Sequence, residues 1–205
     1  MTVGPRDDSA LNRIVAAGLT PDPEPGSLRR GSYPIGLVGL LATVAMLFAA
    51  FSAAILVRRA GTDWARVALP PIVWFNTVLL VASSGGVELA RRSVHRGAGP
   101  GAARWLAIAG LLGLLFLAGQ VTAWRLLVAR GVLLPTSPHA AFFYMLSAVH
   151  GVHVLGGLGA LAWTLRRAMG GAYTSAHHAG LAHVAIYWHF VGGVWVYLLT
   201  ALSIL

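Results

Sequence analysis

Histidines occur where a hydrocarbon environment would ordinarily exclude them. His150 and His153 lie in Phe142-Phe143-Tyr144-Met145-Leu146-Ser147-Ala148-Val149-His150-Gly151-Val152-His153-Val154-Leu155-Gly156-Gly157, and His189 lies in Tyr187-Trp188-His189-Phe190-Val191-Gly192-Gly193-Val194-Trp195, with His183 a little before it. Ionisable groups at bilayer depth are costly and, when retained, usually face a bundle interior and a partner. His150 and His153 are three residues apart and share one face of a helix. Counting ~1.5 Å per residue along two antiparallel helices brings His150 and His189 to similar depth. Two chemistries suit such a pair. Neutral imidazoles on facing helices can be the axial ligands of a haem, as in a small membrane cytochrome b. Alternatively they make interhelical hydrogen bonds that fix packing, worth about 0.6 to 2 kcal/mol each.

Glu88 is the acidic residue that borders an apolar run. Burial would raise its pKa and make it a proton-handling group. Arg91 and Arg92, however, stand at i+3 and i+4, where a helical carboxylate meets a cation, and this spacing predicts a salt bridge. Gly156 and Gly157 fall in the His150 segment, where small residues let helix backbones approach closely. Tyr187, Trp188 and Trp195 lie too deep for all of them to be interface anchors, the default place of membrane tryptophans and tyrosines. Asn76 and Gln120 are single polar groups inside apolar runs and are expected to bond to neighbouring helices.

These residues need elements to hold them. With 57% hydrophobic and 10% charged residues and a mean hydropathy of +0.73, the 205-residue chain has too little polar surface for a soluble domain. Cysteine is absent, which excludes disulfides, thiolate metal sites and cysteine nucleophiles. The net charge of +9 comes from arginines placed between apolar runs, a topology signal that predicts no nucleic-acid partner.

An α-helix needs roughly 20 apolar residues to cross a ~30 Å hydrocarbon core. Five runs qualify, at about 34–57, 67–90, 105–127, 137–165 and 179–205, which predicts an all-α polytopic membrane bundle over residues 31–205. Residues 1–30 are polar, with Pro21, Pro23 and Pro25, and read as a flexible extramembrane tail. The tail and the second and fourth connections carry ten arginines, against five in the first and third. The positive-inside bias therefore places the N-terminus in the cytoplasm and the C-terminus outside.

Taken together, these segments resemble subunit III of the haem-copper oxidases, the cytochrome c and quinol oxidases, in its five-helix bacterial form. The resemblance rests on Tyr187-Trp188-His189-Phe190-Val191 in the last span and His150-Gly151-x-His153-Val154-x-Gly156-Gly157 in the one before. Met46-Leu47-Phe48-Ala49, Asn76-Thr77-Val78-Leu79-Leu80-Val81-Ala82-Ser83-Ser84, and Gly119-Gln120 with Ala123-Trp124 extend it from about Gly31 to Leu205. Two acidic positions of the family pattern are missing. Val44 stands in the first span where the family commonly has an acid, and Gly192 stands where an aspartate follows Trp188-His189-Phe190-Val191. If family members use that buried carboxylate in proton uptake, this chain does not do so by the same residue.

The resemblance implies a structural and assembly subunit of a proton-pumping terminal oxidase in aerobic respiration. Such a subunit has no catalytic residues, no cofactor and no metal of its own. Its implied partners are oxidase subunits I and II and phospholipids, the lipids in a cleft between the first two helices and the rest. It would lie in the bacterial plasma membrane. His150, His153, Trp188, His189, Trp195, Gly156 and Gly157 then become packing or lipid-binding residues. Two other readings remain, the cytochrome b-type anchor using His150 and His189, and the related accessory subunit of a nitric oxide reductase.

Overall fold

A computed structural model describes residues 27–97, 99–171 and 179–204 of the chain, and side chains within 35–97, 101–171 and 180–204. Among the described residues there are five helices: α1 (Ser27–Arg58), α2 (Ile72–His95), α3 (Gly99–Ala129), α4 (Pro138–Met169) and α5 (Ala179–Ile204). All five are long and apolar enough to cross a membrane. The expected tail lies outside the described residues as far as residue 26, and residues 27–30 belong to the first turn of α1.

The ends of the helices follow from local chemistry. The second helix begins at Ile72 and not near Val67, because Pro70 and Pro71 supply no N–H and hold the residue before them out of helical geometry. The carbonyls of Pro70 and Pro71 instead accept from Val73 and Trp74 at 3.0 and 3.1 Å. Helix α3 ends in a Schellman turn. Gly131 takes a left-handed φ of 75° there, with Gly131 N bonded to Val128 O at 2.9 Å and Val132 N to Leu127 O at 3.0 Å. Ser137 caps α4, its hydroxyl accepting from Ala140 N at 3.2 Å, and Pro138 opens the helix where a missing N–H costs least.

Two compact units divide the chain, residues 1–38 and 39–205. The described part of the first is the opening of α1, with Ile35 and Val38 exposed. In the second unit α2 to α5 form a ring in which each helix packs on two neighbours, α2 on α3 and α5, and α4 on α3 and α5. Lipid is as apolar as leucine, so close backbone approach and hydrogen bonding hold such a ring together. The α2–α3 seam shows both. A Cβ on Gly86 would lie 3.2 Å from Ala109 Cβ, and Ser83 Oγ donates to Ala109 O at 2.7 Å.

Residues 39–58 of α1 stand off from this ring. None of their Cα atoms comes within 8 Å of a Cα in another helix, and Val44, Phe48 and Ile55 make the connection with buried side chains. The resemblance implied a cleft setting the first two helices apart from the rest. The ring includes α2 instead, because Gly86 and Ser83 seat it directly on α3. A groove of about 430 Å³ lies between α1 and α5, lined by Ala45, Phe48 and Ala49 on one side and Phe190, Gly193, Val194 and Tyr197 on the other.

Candidate functional site

Five tryptophans and tyrosines of the ring each bond through their one polar atom to another segment. Trp188 is 1% exposed and donates from Nε1 to Ser83 Oγ at 3.1 Å, whose own hydroxyl continues to Ala109 O. Trp195 Nε1 donates to Thr77 Oγ1 at 3.0 Å, and Trp124 Nε1 to Ser147 Oγ at 3.0 Å. Tyr187 donates to His153 O at 3.1 Å and Tyr144 to Val132 O at 2.8 Å. Indoles and phenols suit this position because the ring supplies dispersion contact while its single donor finds a partner out of water.

Glycines make room for the largest of these rings. A Cβ on Gly157 would meet Trp188 Cε3 and Cζ3 at 2.8 Å, and one on Gly113 would meet Trp188 Cη2 and Cζ2 at 3.0 Å. The Trp188 indole is therefore clamped between α3 and α4 while its nitrogen bonds to α2. Gly156 is looser, since a Cβ there would lie 3.8 Å from Tyr187 Oη.

His150 is fully buried, with ring centroids of Trp195, Phe116 and Phe48 at 5.1, 5.9 and 6.4 Å. Its neighbour on α5 is thus Trp195. His189 is exposed on the outward side of α5, one residue, or about 100° of helix, past the inward Trp188. The structure does not bring His150 and His189 together, so the facing-imidazole geometry required for a bis-histidine haem is absent. His153 lies partly buried, 5.7 Å from Phe48, with Nδ1 donating to Val149 O at 2.8 Å within its own helix.

Near the end of α2, Glu88 lies 3.1 Å from Arg91 Nε and 3.2 Å from Arg92 Nε. At the α1–α2 connection Asp63 pairs with Arg58 through two carboxylate oxygens, one of them 2.7 Å from Nη1. The hydrogen bond from Arg58 holds the Asp63 carboxyl below its ordinary range.

Val44 is buried, 3% exposed, so the position of the family's acid faces protein and not lipid. A Cβ on Gly192 would lie 3.3 Å from Ser84 Oγ, placing the second missing acid at the α2–α5 contact. Asn76 and Gln120, expected to bond to neighbouring helices, are buried without a hydrogen-bond partner among the described residues. A Cβ on Gly119 would collide with the Asn76 amide, so the glycine makes room for that side chain.

His139 escaped the sequence reading. It is buried, accepts from Val67 N at Nδ1 (3.3 Å) and therefore donates from Nε2 to Leu202 O (2.9 Å), tying the α1–α2 connection to the end of α5. Its signal was the cap sequence Ser137-Pro138, which places His139 inside a helix start. Ser83 and Thr77 of α2, which accept from Trp188 and Trp195, carry no signal in the sequence beyond their place in an apolar run.

Fold and interior define an all-α polytopic membrane bundle in which Trp124, Trp188 and Trp195 bond across to neighbouring helices. Residues 35–204 match the family model described as cytochrome c oxidase subunit III. A probable cytochrome c oxidase subunit 3 of Mycobacterium leprae is 34% identical over 183 residues, covering 85% of this chain and 88% of that protein. A cytochrome c oxidase subunit 3 of Thermostichus vulcanus is 32% identical, covering 83% and 86%. One from Synechocystis is 28% identical, covering 97% and 87%.

The chain belongs to the cytochrome c oxidase subunit III family. It is a multi-pass membrane subunit of a haem-copper oxidase, in complex with other oxidase subunits, and its place in respiration and proton translocation follows from the family. The names of these relatives favour the oxidase over the cytochrome b-type anchor and the nitric oxide reductase subunit.

Proposed function

We propose that this subunit is a non-catalytic packing and assembly element that contacts oxidase subunits I and II and retains phospholipid, sustaining dioxygen reduction without carrying electrons. The observation that carries the reading is the use made of the interior. Trp188, Trp195, Trp124, Tyr187 and Tyr144 spend their polar atoms on other segments, and His150 is walled by Phe48, Phe116 and Trp195. A site built for redox chemistry would turn such groups toward a common centre. Here His150, His153, Trp188, Trp195, Gly156 and Gly157 act as packing residues, and Glu88 with Arg91 and Arg92 steadies the end of α2.

Phospholipid would occupy the groove between α1 and α5, whose walls are apolar and which opens to the bilayer. The body comprises residues 31–205, with residues 1–30 as a cytoplasmic extension. The bacterial plasma membrane houses it, with the C-terminus outside, as the arginine distribution supports. Affinity purification of the tagged chain from native membranes tests the proposal. Co-elution of subunits I and II with phospholipid, and no Soret band assignable to this chain, is expected. A haem that stays with the separated chain and is lost in His150→Leu would overturn it.

A further inference from the structure

From the exposed surface of α5 we infer a docking seam for a transmembrane helix of another oxidase subunit, centred on His189. This rests on the chain's membership of the complex. Ile186, His189, Gly193, Val196 and Thr200 are all exposed and lie at spacings of three and four, forming one stripe along the helix. Any outward helix face repeats in this way, so the composition of the stripe is what distinguishes it. The outward face of α3 offers Leu111, Leu114, Leu115 and Val121, aliphatic groups suited to acyl chains. The α5 stripe instead carries an imidazole.

His189 is the tenth residue of the span Gly180–Ile204, which at ~1.5 Å per residue puts it within roughly 5 Å of the bilayer midplane. No donor or acceptor among the described residues bonds to it, whereas Thr200 on the same stripe satisfies itself by bonding to Val196 O at 2.8 Å. At that depth neither water nor a lipid headgroup is within reach, and an ionisable group left facing hydrocarbon is costly. A protein side chain must meet it.

The surroundings suit a helix as the occupant. Gly193, one turn beyond His189 and at the edge of the α1–α5 groove, has open space where its Cβ would be, so a partner backbone can approach beside the imidazole while acyl chains lie in the groove against Phe190, Val194 and Tyr197. The partner is thus a helix with a hydrogen-bonding side chain facing His189, packed along Ile186, Gly193 and Val196.

Photo-crosslinking in the intact oxidase tests this, with p-benzoylphenylalanine at position 196 and, as a control on the lipid-facing side, at position 114. Position 196 is expected to crosslink to another oxidase subunit and position 114 to lipid. Crosslinks from 196 to lipid alone, or to a second copy of this chain, would overturn the inference. His189→Leu is expected to weaken retention of the chain in the complex under detergent by about threefold to thirtyfold, with partial recovery in His189→Gln. His189 lies outside the core, so the thermal midpoint of the chain itself should not move. Unchanged retention of His189→Leu would refute the seam while leaving the subunit assignment intact. Failure of the unaltered chain to co-purify with any oxidase subunit would remove both.

Discussion

Adding one methyl group at Gly157 should damage this bundle far more than adding one at nearby glycines. The new Cβ would come within 2.8 Å of Trp188 Cε3 and Cζ3 and 3.1 Å of Tyr187 Cε1, well inside ordinary carbon contact. The indole has little room to retreat, because Gly113 already approaches its other edge and Ser83 Oγ holds its nitrogen at 3.1 Å. Helix α4 must therefore move outward by several tenths of an ångström, or the Trp188–Ser83 bond must break. Overpacking of this kind costs about 1–3 kcal/mol, and a lost interhelical bond in a membrane protein adds about 0.6–1.7 kcal/mol. Gly157→Ala should thus lower stability by about 1–3 kcal/mol if α4 shifts, and by up to about 5 kcal/mol if the bond is lost as well. Gly159→Ala and Gly193→Ala, where nothing lies within 4 Å of the new atom, should be neutral or stabilising by up to about 1 kcal/mol through helix propensity. Denaturation of the purified chain in mixed micelles, followed by tryptophan fluorescence, compares the three. Equal stability of Gly157→Ala and Gly159→Ala would refute the clamp.

Other expectations follow from the same contacts. A double-mutant cycle of Trp195→Phe and Thr77→Val should give a coupling of about 0.6–1.7 kcal/mol, and a coupling near zero would show that their 3.0 Å bond does not hold α5 to α2. Val44→Glu should cost about 3 kcal/mol in chain stability, because it adds a carboxyl group to a position 3% exposed, and oxidase activity should not require it. An increase in activity with this variant would show that the missing acid matters here. Asp63 has a lowered carboxyl pKa, so its pairing with Arg58 contributes fully above the ordinary value of about 3.9 and is lost as pH falls through the lowered one. Limited proteolysis of the α1–α2 connection should therefore be constant from neutral pH to about 4 and rise below it, and a rise beginning near pH 6 would contradict the pairing.

Much of the architecture was legible because lipid imposes simple rules. Apolar runs of sufficient length mark helices, and Ser137-Pro138 marks a helix start by chemistry that needs no tertiary context. Pro70 and Pro71 could have moved the start of α2 past them, since the residue before a proline avoids helical geometry. The phase of each helix was less accessible. Trp188 and His189 are adjacent, both amphipathic and both in the family-like motif, yet one is clamped in the ring and the other faces outward. Depth counting cannot distinguish them, because depth fixes height along a helix and says nothing of rotation about it. The stand-off of α1 was also hidden. It depends on α2 seating on α3 through Gly86 and Ala109, a contact between residues 23 positions apart that no local pattern announces. His139 was missed for a related reason, since its partners, Val67 N and Leu202 O, come from distant segments and are backbone atoms without residue identity.

The central claim is that this subunit sustains the oxidase without performing its chemistry. Oxygen consumption by the complex purified with and without the chain, recorded from the first turnover until activity is exhausted, tests it most directly. Similar initial rates are expected, with a markedly faster decay when the chain is missing. Complete inactivity from the start would establish a catalytic role, and identical decay in both preparations would leave the subunit without the sustaining function proposed here.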